Sequence, residues 1–296
     1  MIADAPLTYV DCGARGDRLP REFRALKHVS YVGIEADGDE CVRLNASAGH
    51  GHVYIPAFLG RARERRTFHI TSSPACSSLY PPNLPFLAAF PELAGAFQVD
   101  REVSVETVTL EDALREHGIR AADFIELDTQ GSELDILHGA DSLLRNSVLG
   151  VRVEVEFSPM YLDQPLFADI DGFLRLRGFR LFDLSRYRVR RPTLAASIPT
   201  RGQLLWGHAL YLRSQGDLPA EVAARLAVVA AASDIPDYAA EILDRVAAQP
   251  PSKDMGRYAR LAREALASTP SAIGEEKDEE DRVLAESRDR PVWWRD

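Results

Sequence analysis

Short apolar, β-branched runs alternate with helix-period segments from the start of the chain to about Leu212, the pattern of an α/β protein with a mostly parallel sheet. Strands are predicted at Leu7–Val10, Tyr31–Glu35, Val53–Phe58, Asp123–Leu127, Leu149–Glu156, Arg180–Leu184 and Leu205–Leu212. Helices are predicted near Pro20–Lys27, Asp39–Ser47, Leu110–His117, Glu133–Leu144 and Phe167–Arg177, with Gly178 placed for a left-handed C-terminal cap. The link between the final two strands carries no convincing helix, so those strands are expected to pair antiparallel rather than through a right-handed crossover. The expected fold is a Rossmann-like seven-stranded sheet, mostly parallel, with its last strand reversed.

The same pattern divides the chain. Residues 1–215 form the α/β unit, interrupted between the third and fourth strands by an insertion, Gly60–Thr107, with a short strand candidate at Thr67–Thr71 and the proline-punctuated stretch SSPACSSLYPPNLP. A connection this long commonly covers a site, so it is a candidate lid. After Gly216 the composition turns alanine-rich. Amphipathic segments at Pro219–Gln249 and Ser252–Ser268 predict a helical appendage over 216–268, suited to oligomerisation, and 269–296 is a charged, apolar-poor tail expected to be mobile, ending near Trp293 and Trp294.

Charge and cysteine usage narrow the function. A formal net charge of −10 over 296 residues argues against nucleic acid as partner, because phosphate neutralisation needs a basic face. Cys12, Cys41 and Cys76 have no metal or disulfide spacing. Neither a signal peptide nor an apolar run of membrane-spanning length is present, so no membrane association is expected and the cytoplasm is the default location.

The turn after the first strand, Asp11-Cys12-Gly13-Ala14-Arg15-Gly16, sits where parallel sheets bind ligands, outside the carboxyl ends of their strands. Gly13 and Gly16 let the backbone turn sharply and approach a ligand at Ala14. Asp11 offers a carboxylate to an ammonium group, whereas a pyrophosphate would want the G-x-G-x-x-G loop that is missing here. Glu35, at the tip of the second strand, is placed to accept hydrogen bonds from ribose hydroxyls. Asp37 is a weaker cofactor candidate, since an acid just before a helix commonly serves as its N-cap. S-adenosylmethionine therefore fits better than a nicotinamide dinucleotide.

The block DFIELDTQGSELDILHGADSLL, residues 123–144, resembles the D-F-I-K-I-D-V-E-G-x-E-x-x-V-L-x-G segment of the FkbM-type methyltransferases. YVDCGARGD, VTLEDAL, VRVEVEFSPMY and SSLYPPN resemble other segments of that family in order, covering nearly all of the first ~212 residues. The resemblance implies a Rossmann-like fold, S-adenosylmethionine as donor, and methyl transfer to a hydroxyl of a sugar, polyketide or other natural product. Arg15, Glu126 and Gln130 depart from the family pattern, the last two near the expected reaction centre.

Methyl transfer to a hydroxyl benefits from a base, and Asp128, at the tip of the fourth strand, is the first candidate. Glu154 and Glu156 share one face of the fifth strand. They require partners such as Arg152 or a substrate hydroxyl. Asp128 with Glu154 would also suit an all-oxygen metal site, but the spacing is not metal-specific and no metal is assigned. Glu133 is either an acid at a helix start or a substrate contact, with Gly131 and Ser132 shaping its turn. Ser77 and Ser78, with Tyr80, are candidates to close over a small-molecule or carbohydrate acceptor. The runs RARERR at 61–66 and RYRVRR at 186–191 are either solvated faces or a lure for an anionic acceptor. The seven histidines, including His208, lack metal-ligand spacing and are expected to have structural or surface roles. Two other readings remain at this stage: a nicotinamide-dependent oxidoreductase, and a non-catalytic methyltransferase-like binding module.

Overall fold

The computed structural model describes residues 7–15, 19–26, 29–192, 200–216, 218–249 and 253–268. Alternation on the first strand, β1 (Leu7–Cys12), sends Leu7, Tyr9 and Asp11 to one face and Val10 and Cys12 to the other. Both faces are covered, which is why the strand reads as nearly continuous apolar sequence. After helix α1 (Arg21–Ala25) come β2 (Val29–Glu35), α2 (Gly38–Ser47), β3 (His52–Pro56), β4 (Phe58–Leu59) and β5 (Glu64–Thr71). Helices α3 (Leu84–Leu87) and α4 (Pro91–Ala94) precede β6 (Val99–Val108), α5 (Leu110–Glu116), β7 (Phe124–Leu127), α6 (Glu133–His138), α7 (Asp141–Asn146), β8 (Gly150–Glu156) and α8 (Phe167–Arg175). The described chain closes with β9 (Phe179–Leu184), β10 (Tyr187–Val189), β11 (Gln203–Arg213), α9 (Ala220–Ala232), α10 (Pro236–Ala247) and α11 (Lys253–Ser268).

Strands β3, β2, β1, β7 and β8 lie side by side and parallel. β11 runs antiparallel to β8, as expected of the last strand. It is long enough to take two partners on its outer edge: its second half pairs antiparallel with β9 and its first half with β10. That short eighth strand is absent from the sequence-based expectation, because three residues carry too little alternation to register.

Two helices expected as single rods are broken. Glu133–Leu144 divides at Gly139, which has no room for a side chain: a Cβ there would lie 2.6 Å from the Gly60 carbonyl oxygen. Pro219–Gln249 divides at Asp234, whose φ of 60° leaves the helical region, and Pro236 starts the next helix. Gly178 adopts the expected left-handed conformation, with φ 83°.

Helices α5 to α8 cover one face of the sheet. The other face is covered by α1, α2 and the alanine-rich α9 to α11, whose side chains share one buried cluster with Tyr9, Tyr31 and Phe124 of the sheet. Arg225 of α9 pairs with the buried Asp123 at 2.5 Å and also reaches the Tyr258 hydroxyl on α11. The insertion builds its own three-stranded sheet, β4-β6-β5. β6 is missing from the sequence reading because it is an exposed hairpin strand whose charged and β-branched residues form no apolar stripe. A third buried cluster, including Leu87, Phe90, Phe97, Tyr161 and Leu205, ties the insertion to the segment after β8. The tail 269–296, with Trp293 and Trp294, lies outside the described residues.

Candidate active site

The carboxyl ends of β1, β2 and β7 open onto a cleft of about 200 Å³, lined among others by Gly13, Arg15, Glu35, Ser77, Asp128 and Gln130. Gly13 turns the chain with φ 95°, and its N–H and that of Ala14 donate to the Ile34 carbonyl. A Cβ on Gly13 would sit 2.1 Å from the Asp128 carbonyl oxygen, so the turn after β1 can lie against the turn after β7 only as glycine. Gly16 lies outside the described residues.

The acids expected to hold a cofactor separate by position. Glu35 lines the cleft and accepts the Asp37 N–H at 2.9 Å. Burial pushes its carboxyl above the usual range, while that N–H and the nearby Arg15 charge pull it back. Asp37 caps α2, accepting from the N–H groups of Asp39 and Glu40. Asp11 points away from the turn, onto the face of Tyr9, where it is buried and accepts the Tyr31 hydroxyl at 2.6 Å. Glu126 lies on that same face, bonded to the Tyr9 hydroxyl. This family departure is therefore part of the packing beneath the sheet end and not of the cleft.

At the rim, a second group of acids converges. Asp128 follows β7, and Gln130, held at φ 60°, donates from its amide to Asp128 at 2.9 Å and to Glu154 at 2.7 Å. The amide oxygen of Gln130 meets the Tyr161 hydroxyl, and its carbonyl accepts from Ser78 Oγ at 2.6 Å. The family's carboxylate at this position is here a neutral bridge between two acids. Glu154 is 6% exposed; burial, then the charges of Asp128 and Glu156, drive its carboxyl far upward. Glu156 is fully buried, and neither oxygen has a hydrogen-bond partner among the described residues. Burial, then Glu133, raises its carboxyl strongly, and the neighbouring Gln164 amide offsets part of this. No arginine or lysine among the described residues forms an ion pair with Glu154 or Glu156. Arg152 instead lines a small hollow with Tyr9 and Phe124.

Glu133 folds back over its own turn. One oxygen accepts from the Thr129 N–H and hydroxyl, the other from the Gly131 N–H, and burial still pushes the carboxyl up to about 7. With 1% exposure its side chain shapes the loop rather than the cleft wall. Phe58, just before the insertion, and Phe68, Pro74, Ala75, Ser77 and Leu79 within it supply another wall of the cleft. Ser77 Oγ accepts the Thr71 N–H at 3.1 Å. Ser78 is buried against Gln130, and Tyr80 reaches Asp135 beneath the Arg66 guanidinium.

One residue of this cluster was not singled out from the sequence. His208 on β11 lies directly opposite Glu154 on β8, and one side-chain ligand atom from each of Asp128, Glu154 and His208 lies within 4.8 Å of the others. Opposite residues of an antiparallel pair share a face, so the antiparallel pairing would have found it only once its register was known.

The match to the methyltransferase FkbM domain runs over residues 11–181, more than half of the chain, and takes in both turns and all four acids of the cluster. The chain belongs to the FkbM methyltransferase-domain family. The FkbM domain carries with it S-adenosylmethionine as cofactor and methyl transfer as reaction class. No protein of curated function matches the chain in sequence. Among solved structures, similarity extends to the magnesium protoporphyrin IX methyltransferase of Synechocystis PCC 6803 with bound SAM (13% identity, 71% of each chain, TM-score 0.36). It also extends to a putative tRNA (m1A22) methyltransferase of Streptococcus pneumoniae (14% identity, 90% of this chain and 94% of that one, TM-score 0.32). Both are too distant to bear on the acceptor of the FkbM domain described here. Among the described residues, no helix is long and apolar enough to cross a membrane.

Proposed function

We propose that this protein transfers the methyl group of S-adenosylmethionine to a hydroxyl of a small, carbohydrate-like or other natural-product acceptor. The observation that carries the reading is the position of Asp128, which borders the cleft beside the Gly13 turn and is backed by the buried Glu154. The cofactor fits the residues present: the Gly13 turn lines the cleft, and Glu35 faces it where ribose hydroxyls need an acceptor. When bound, it supplies an electrophilic methyl on a positively charged sulfur.

With the cofactor bound, Asp128 would take the acceptor's proton as the hydroxyl oxygen accepts the methyl group in exchange for the sulfur. General-base assistance of this kind contributes about 10²–10⁴-fold. Gln130 donates from its amide to the Asp128 carboxylate, which fixes the orientation of that carboxylate at the cleft. The walls from the insertion, apolar apart from Ser77, restrict water and align acceptor and donor, and alignment supplies much of the acceleration in a displacement.

Calorimetry with S-adenosylmethionine and with nicotinamide dinucleotides tests the cofactor; preferential dinucleotide binding would overturn the reading in favour of an oxidoreductase. With a panel of sugars and hydroxylated natural products as acceptors, Asp128→Asn is expected to lower turnover by roughly 10²–10⁴-fold while S-adenosylmethionine affinity stays unchanged. A fully active variant removes Asp128 as the base. Cofactor binding without transfer to any acceptor of the panel would favour a non-catalytic binding module.

A further inference from the structure

We propose that Asp128, Glu154 and His208 form a binding site for one divalent first-row cation, with manganese as its representative. Its role in the reaction rests on the methyl-transfer reading above; the site itself does not. Three elements, the turn after β7, β8 and β11, bring these side chains together, and one ligand atom from each lies within 4.8 Å of the others. Metal–ligand bonds of about 2.1 Å place opposite ligands about 4.2 Å apart, so small side-chain rotations bring all three onto a single ion.

Two further observations point to a positive ligand. The ring nitrogens of His208 make no hydrogen bond among the described residues; the ring meets Tyr187 edge-on at 5.7 Å between centroids. Glu156, next along the same face of β8, keeps a fully buried carboxylate with both oxygens unpartnered. An orphaned buried carboxyl is costly, and beside Glu154 it is a group that a divalent ion would stabilise.

The donor set selects the kind of ion. Two carboxylates and one imidazole suit manganese and its first-row neighbours better than magnesium or calcium, which favour oxygen shells. The Gln130 amide, donating to one oxygen of each carboxylate, orients the ligands from outside as outer-shell partners do. A cation here would lie next to the cleft that Asp128 lines and would lower the pKa of an acceptor hydroxyl bound to it.

The test is binding of manganese(II) alone to the full chain, followed by electron paramagnetic resonance, for the wild type, His208→Gln and Glu154→Gln. The folding of each is checked by thermal melting, and S-adenosylmethionine binding is measured separately in chelator. The expected result is saturable binding at one site, weakened at least tenfold in both variants. No saturable binding by the wild type, or binding that His208→Gln leaves unchanged, would overturn the site. Should Glu154→Gln fail to fold, the half-buried His208 decides alone. A wild type that binds S-adenosylmethionine but no manganese sinks this inference and leaves the methyltransferase reading standing; one that binds manganese but no S-adenosylmethionine does the reverse.

Discussion

The backbone of Gly13 rests against the carbonyl of Asp128, so close that a Cβ on residue 13 would stand 2.1 Å from that oxygen. One contact thus joins the turn expected to cradle the cofactor to the turn carrying the proposed base. Gly13→Ala must either move Asp128 or distort a φ of 95°, and strain of that kind costs about 1–3 kcal/mol. The variant is expected to melt several degrees lower and to bind S-adenosylmethionine at least tenfold more weakly. Unchanged melting and calorimetry would show that the two turns separate freely.

Gln130 is where this chain differs most tellingly from the family pattern. Gln130→Glu restores the family's carboxylate but replaces two donated hydrogen bonds with a third acid between Asp128 and Glu154. At pH 8 it is expected to destabilise the protein by at least about 1–3 kcal/mol, the usual cost of leaving buried polar groups unpaired. At pH 5 the loss shrinks, because the added carboxyl, protonated, can still donate. Urea midpoints at the two pH values check this; a loss independent of pH would contradict it.

Glu133, Glu154 and Glu156 all have carboxyls raised above their ordinary range, burial being the first cause in each. Between about pH 4.5, where such groups titrate in the unfolded chain, and their folded values, the native state binds more protons. Stability contributed by these groups is therefore complete below pH 4.5 and falls as pH rises. The share of Glu133 is lost as pH rises through about 7, and those of Glu154 and Glu156 are lost in the same direction. Glu156→Gln, measured in chelator, is expected to flatten this decline and gain about 1–3 kcal/mol at pH 8. An equally steep decline in the variant would show that Glu156 finds a partner in solution.

Arg225 joins the C-terminal helices to the sheet through two hydrogen-bonded nitrogens on the buried Asp123. Asp123 stays raised because burial outweighs even this cation. Removing the partner of a buried charge costs about 3–5 kcal/mol, a large part of a typical total of about 5–15 kcal/mol. Arg225→Ala is expected to lower the urea midpoint accordingly, and the pair Asp123→Leu with Arg225→Met to recover most of the loss. A negligible change in Arg225→Ala would place the ion pair outside the energetics of helix docking.

The sequence by itself determined the parallel core, the reversed last strand and the glycine turn, because each is written in local patterns: alternation within a strand, absence of a helical period, a glycine where φ must be positive. It also brought Asp128, Glu154 and Glu156 into view, since strand parity places residues two apart on one face. Tertiary structure alone decided which acids face the cleft. Asp11 and Glu126 turn to the buried face, where tyrosine hydroxyls satisfy them, while Asp37 and Glu133 are taken up by backbone N–H groups. It alone added His208, because the register between β8 and β11, which sets His208 against Glu154, joins residues more than fifty positions apart and leaves no mark on the sequence around either.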